Sequence, residues 1–80
     1  MIKARAVLEA RRISGLTQAQ LAAEAMMPLK ILQDVEVGRA PLRPEWAASI
    51  KVALEKRGVI FHDDGRVEIR PAFLRQGDWP

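Results

Sequence analysis

The chain of 80 residues has no cysteine, a single histidine and few aromatic residues, which make up 5% of the sequence. Without cysteine, neither disulfide bonds nor a Cys-based zinc site can support the fold. A chain of this length buries only about 60% of the surface that its unfolded form exposes. We therefore expect one small domain with a modest core, supplemented by self-association, and a homodimer is favoured.

Long apolar runs are also missing. The amino-terminal segment MIKARAVLEARR carries charges throughout, and no run is long enough for a signal peptide or a membrane span. We expect a soluble, cytoplasmic protein with no membrane partner. Thirteen Lys and Arg against ten Asp and Glu give a net charge of +3. This charge permits attraction to nucleic acid without requiring it.

The patterns of catalytic sites are absent as well. The sequence has no Ser-His-Asp set, phosphate-binding loop or Rossmann glycine pattern. His62 has no cysteine or second histidine to share a metal with, so we interpret it as a strand-end or turn residue. Asp63 and Asp64 precede Gly65 and are typical turn formers. We predict neither an enzyme nor a metal or cofactor site.

The apolar residues in the first part of the chain follow helical spacing. A first helix is predicted from Lys3 to about Ser14, ending at Gly15. A second is predicted from about 18 to 25. Its start is a capping box, in which the side chains of Thr17 and Gln20 bond to each other's backbone amides.

Proline and glycine mark the limits of two further helices. The third is predicted to begin near Pro28, as its first helical residue, and to stop at Gly38. The fourth is predicted from Pro44 to about residue 56, with Gly58 as its stop. Its buried stripe is expected to contain Trp46, Ala47, Ile50, Ala53 and Leu54.

After the fourth helix the apolar period changes from about 3.6 to 2, which indicates strands. The pattern predicts a hairpin pairing Val59 and Phe61 with Ile69 and Val67, closed by a three-residue loop with Gly65 in the left-handed conformation. Because an isolated hairpin is marginal in water, it is expected to pair with a second copy or to pack on the helices. The last ten residues lack periodicity. Their aromatics Phe73 and Trp79 are either loosely packed or form a docking contact.

Three motifs occur in a specific order over residues 3 to 57: ARR at 10–12, GLTQAQLA at 15–22 and VEVGR at 35–39. Together they resemble the helix-turn-helix domain of the phage repressor and XRE family of transcriptional regulators. The run ALEKRGVIF at 53–61 resembles the helix-to-strand junction of compact members. The resemblance implies a mainly α fold, with a four- to five-helix phage repressor-like helix-turn-helix domain at 1–58 and a C-terminal β-hairpin for dimerisation at 59–70. The lack of periodicity after the hairpin predicts a flexible tail at 71–80.

The resemblance also implies roles for individual residues. Arg11 and Glu36 would form a structural ion pair between the first and third helices. Independently of the resemblance, the marginal stability of a lone hairpin leads us to expect a dimer interface that contains Val59, Phe61, Val67 and Ile69. The residues expected to contact double-stranded DNA, at base edges or at the phosphate backbone, are Thr17, Gln18, Leu29, Lys30, Gln33, Asp34, Arg39 and Arg43.

Some residues depart from the family pattern. Met26 stands where glycine is usual in the turn, which suggests a different or strained backbone. Pro28 replaces the usual Ser or Thr cap. Leu29 can touch a thymine methyl but cannot hydrogen-bond a base, and Asp34 would repel phosphates. Two hypotheses therefore stand: a dimeric, sequence-specific DNA-binding regulator, or a co-regulator or antiactivator that keeps the fold and uses apolar atoms around Met26, Leu29 and Ile31 to bind a protein partner.

Overall fold

The computed structural model describes residues 2–70. Four helices, α1 (Ala4–Ser14), α2 (Gln18–Glu24), α3 (Leu29–Glu36) and α4 (Pro44–Glu55), precede the strands β1 (Val59–Phe61) and β2 (Val67–Ile69). This arrangement confirms a mainly helical chain with a small antiparallel sheet. Within these residues, no helix has both the length and the apolar character needed to cross a membrane. The predictions for the tail, including Phe73 and Trp79, fall outside the described residues.

Local sequence chemistry sets the junction between α1 and α2. Gly15 ends α1 with a φ of 77°, in the left-handed region that glycine adopts without steric cost. Thr17 Oγ1 accepts a hydrogen bond from the Gln20 amide at 3.0 Å, and the Thr17 amide donates to Gln20 Oε1 at 2.9 Å. Both halves of the predicted capping box are therefore present, and they fix the first turn of α2.

The turn between α2 and α3 contains an unusual backbone conformation. Met26 has a φ of 56°, the single positive value among the described non-glycine residues. Its amide donates to the Ala23 carbonyl at 3.2 Å, and the Met27 amide donates to the Ala22 carbonyl at 2.9 Å. These two bonds form a Schellman motif, in which the left-handed position normally holds glycine. Met26 therefore adopts the positive φ that is expected to strain a residue with a side chain.

The start of α3 differs by one position from the prediction. Pro28 has an extended backbone, with a φ of −62° and a ψ of 137°, and precedes the helix as its N-cap. Its carbonyl accepts from the amides of Ile31 and Leu32 at 3.1 and 3.3 Å. The first helical residue is therefore Leu29, because the residue before the helix contributes a carbonyl while its own ψ is still extended.

A single core joins all four helices to the hairpin. Five large side chains of this core cluster are fully buried, and each contributes about 1.5–3 kcal/mol relative to an exposed position: Val7, Leu21, Leu32, Ile50 and Leu54. Val59 of β1 belongs to the same cluster, and Trp46 packs against its edge. The hairpin and the helices therefore form one packed unit.

The hairpin has the predicted register. Val59 pairs with Ile69 and Phe61 pairs with Val67. The His62 amide donates to the Arg66 carbonyl at 2.9 Å, so three residues close the loop. Gly65 has a φ of 94°, as expected for the left-handed position of this turn.

The packing of this hairpin shows how the residues of the predicted dimer interface are used within one chain. Val59 is only 2% exposed within a single chain, and Phe61 and Val67 pack against the same core. The face formed by these side chains is therefore mostly used inside the protomer, and the Val59 side chain is not available to a second copy. The alternation of apolar residues alone could not decide whether the hairpin packs on the helices or on a second copy. It identifies a buried face but not the surface that covers that face.

Replacing Met26 by glycine should stabilise the protein by about 0.5–1 kcal/mol, since glycine adopts a positive φ without strain. Little packing would be lost, because Met26 is 87% exposed. Urea denaturation would measure the change in the free energy of unfolding. Ala23→Gly, at an exposed helical position of α2, is the matched control and should cost up to about 1 kcal/mol. A loss of stability in Met26→Gly would contradict the strain argument.

Candidate functional site

A buried carboxylate connects the first three helices. Glu36, the last residue of α3, has a side chain only 2% exposed. Arg11 of α1 donates to it twice, from Nε at 2.7 Å and from Nη2 at 3.0 Å. Gln18, the first residue of α2, donates a third hydrogen bond from Nε2 at 2.8 Å. This contact between Arg11 and Glu36 is the one that the family resemblance implies.

This network fixes the direction of α3. A bidentate guanidinium–carboxylate pair has a planar geometry that restrains both partners. Arg11 also donates from Nη1 to the Leu16 carbonyl at 3.0 Å, which ties the turn after α1 into the network. Since Leu32 and Val35 anchor the inner side of α3 in the core, the opposite side of the helix is held facing outward.

The outer face of α3, formed by Leu29, Lys30, Gln33, Asp34 and Val37, combines apolar and neutralised polar groups. Leu29 is 40% exposed and Val37 is 65% exposed. Lys30 Nζ contacts Asp34 Oδ1 at 3.1 Å, an exposed pair one helical turn apart. Gln33 lies between these groups and makes no side-chain hydrogen bond to the rest of residues 2–70. The exposed side chain of Met26 precedes this face in the turn before α3.

The charge of this face differs from a simple count along the sequence. Residues 28–37 contain Lys30, Asp34 and Glu36, which sum to a net negative charge. The structure assigns Glu36 to Arg11 in the interior, so Lys30 and Asp34 remain and balance each other. The outer face is therefore neutral, and it neither attracts nor repels a polyanion by net charge.

Two arginines follow α3 in the connection to α4. The Gly38 amide donates to the Val35 carbonyl at 3.2 Å and the Arg39 amide donates to the Asp34 carbonyl at 2.8 Å, forming a second Schellman motif. Arg43 is the N-cap residue of α4. Both arginine side chains are exposed, so the structure brings two cations to the segment that follows the outer face.

The remaining residues expected to contact DNA have structural roles that sequence reasoning only partly anticipated. Thr17 is exposed but its hydroxyl is used in the capping box. Gln18 is half-buried and bonded to Glu36. Val37 was not among the predicted contacts, although its exposure places it on the outer face of α3. Its position four residues after Gln33 was the signal that could have identified it.

A concavity lies between the start of α1 and the hairpin turn. Its lining includes Lys3, Arg5, Lys51, Asp63 and Arg66, so charges of both signs are present. The Arg66 amide donates to Asp64 Oδ1 at 3.0 Å, and this hydrogen bond, with the adjacent guanidinium, lowers the pKa of the Asp64 carboxyl. These contacts stabilise the turn. Across residues 2–70, no three His, Cys, Asp or Glu side chains are grouped as metal ligands would be.

Comparison of the chain with protein-family models and with curated proteins found no match.

The carboxylate of Glu36 should contribute far more to stability than that of Asp34, whose partner Lys30 is exposed. Glu36→Ala leaves Arg11, whose side chain is 15% exposed, without its partner, and we expect a loss of about 3 kcal/mol in the free energy of unfolding. Asp34→Ala removes the exposed pair with Lys30 and should cost less than about 0.5 kcal/mol. Urea denaturation measures both.

A double replacement separates the effect of losing the ion pair from the effect of leaving one buried charge without a partner. Changing Arg11 and Glu36 together to methionine should recover much of the loss, because no unpaired charge remains. Equal losses in Glu36→Ala and Asp34→Ala would contradict the role assigned to the network.

Proposed function

We propose that this protein is a sequence-specific DNA-binding transcriptional regulator of the phage repressor-like helix-turn-helix type. In this proposal α2 and α3 form the helix-turn-helix, and α3 is the helix that enters the major groove. The observation that carries it is the network of Arg11, Gln18 and Glu36, which fixes α3 while leaving its outer face exposed. A reading helix needs this combination, since its side chains must reach base edges from a defined orientation.

The exposed cations support the same proposal. Because the outer face of α3 is neutral, attraction to phosphates has to come from residues beside it. Arg39 and Arg43 follow α3 directly and are exposed, which suits contacts to the backbone on either side of the groove. Gln18 supports the orientation of α3 from within and lies at the amino end of α2, where a phosphate oxygen could accept from its amide.

Dimer formation is part of the proposal, with the contact moved from the predicted side chains to the strand edges. In the hairpin, residues 60 and 62 bond across to residues 68 and 66, so the backbone N–H and C=O groups of Val67 and Ile69 point away from β1. Both residues are half-buried, whereas Val59 on the other strand is buried. Within residues 2–70 the sheet has only two strands. An unpaired strand edge is a common site for pairing with a second copy.

The second candidate function is protein binding through the outer face of α3. The observation that favours it is the exposure of Met26, Leu29 and Val37 around a face with no net charge. A helix with exposed apolar side chains can enter a groove on another protein. The chain would then act as a co-regulator or antiactivator that keeps the fold.

Salt dependence separates the two functions. With duplex DNA selected from a random pool, binding should weaken steeply from about 50 to 200 mM salt as counterions are released. Arg39→Ala and Arg43→Ala should each weaken binding and lower the slope of log K against log salt by about 1. Fluorescence anisotropy over a salt series measures both quantities.

Lys51→Ala is the matched control for these variants. It also removes one positive charge, but Lys51 lies on α4 beside the concavity at the start of α1. Its slope should equal that of the unmodified protein. If no duplex binds even at about 50 mM salt, DNA binding is rejected, and capture of a protein partner that is lost in Leu29→Ala would favour the second candidate.

The oligomeric state is expected to be a dimer at micromolar concentration. Sedimentation equilibrium should give twice the 9.0 kDa mass of the chain. Dilution should shift the mass toward that of the monomer, since pairing through a strand edge buries a small area. A mass of one chain at every concentration up to that used for DNA binding would remove the strand-edge dimer from the proposal.

A further inference from the structure

We infer that the first two turns of α3 read two nearby A·T base pairs, with Leu29 contacting the thymine methyl group of one pair and Gln33 hydrogen-bonding the adenine of the other. This inference rests on the proposed function and specifies which base pairs the proposed site would recognise. It is argued from the atoms that the outer face of α3 presents.

The polar groups on this face limit what it can read. Guanine is usually read by a cation, and cytosine by a carboxylate. Lys30 and Asp34 contact each other at 3.1 Å, so each already has a partner of opposite charge. Gln33 makes no such contact among the described residues. A glutamine amide can bond to the N6 and N7 atoms of adenine together, a pairing specific to that base in the major groove.

The apolar atoms complement this amide. Leu29 and Gln33 are one helical turn apart, which places their side chains about 6 Å from each other along α3. Neighbouring base pairs are separated by about 3.4 Å, so the two side chains span one or two base-pair steps. In the major groove the thymine methyl is the apolar group that a leucine can contact. Leu29 is 40% exposed at the start of α3, the end that reaches base edges in helix-turn-helix proteins.

The turn before α3 provides a separate indication that apolar contact is used here. Met26 occupies a left-handed position at an expected cost of about 1 kcal/mol, and its side chain is 87% exposed. The core gains almost nothing from this side chain. An exposed apolar group held at a strained position is more readily explained by a contact with a ligand than by folding.

Substitution of uracil for thymine tests the inference, because uracil lacks only the methyl group. The probe is a duplex selected from a random pool, with each thymine replaced in turn by deoxyuridine. At one or two positions the affinity of the unmodified protein should fall about fourfold, as expected for one lost methyl contact. Leu29→Ala should bind thymine and uracil equally at these positions. Val52→Ala, which shortens an exposed apolar side chain on α4, should retain the fourfold difference.

Gln33 is tested at the same site. Replacing the neighbouring A·T pair by G·C should weaken binding by the unmodified protein at least fivefold, a discrimination that Gln33→Ala should lose. If uracil has no effect at any position, or the effect persists in Leu29→Ala, the inference is overturned while DNA binding stands. If no duplex is bound at about 50 mM salt, both the inference and the proposed function fail.

Discussion

The carboxylate of Glu36 is the group on which the arrangement of the first three helices depends. It is almost fully buried, and a buried charge is tolerated only when several donors compensate for its lost hydration. Arg11 supplies two of these donors and Gln18 supplies a third. Because the three residues belong to three helices, satisfying one charge also sets the position of α3. Apolar packing alone restrains such an angle less, since it is less directional than a bidentate hydrogen-bonded pair.

Because the network around Glu36 sets the position of α3, the residues on the outer face of this helix can vary without any change in the fold. They need not be strongly basic. The side chains that define the fold lie on the inner side of α3, and Glu36 closes the helix at its end. Leu29, Gln33 and Val37 contribute little to the core, so their chemistry can be adjusted to a target. In the proposed DNA complex, phosphate attraction would be separated from base contact, because the exposed arginines lie after the helix. Affinity and specificity would then depend on different residues.

Much of the fold could be predicted because its signals are local. The Thr17–Gln20 capping box and the loop at Gly65 each depend on residues within a few positions, and the hairpin register follows from the alternation of apolar residues. The long-range contacts were harder to predict. Gln18 meets Glu36 across 18 positions, and neither the local pattern nor the implied pair of Arg11 and Glu36 identifies that contact. Val59 was assigned to a dimer because its burial depends on the direction in which the chain turns after α4.

In the candidate site, too, local features could be predicted from the sequence and long-range ones could not. The exposure of Leu29 and Lys30 could be predicted from helical periodicity. The neutrality of the outer face could not, because it depends on the charge that Glu36 meets in the interior. That neutrality decides how the two candidate functions differ physically. A nucleic acid would be attracted by cations beside α3 and recognised by uncharged atoms on it. A protein partner would use the same uncharged atoms and would have no need of Arg39 and Arg43. The two arginines, more than α3 itself, therefore distinguish the two functions.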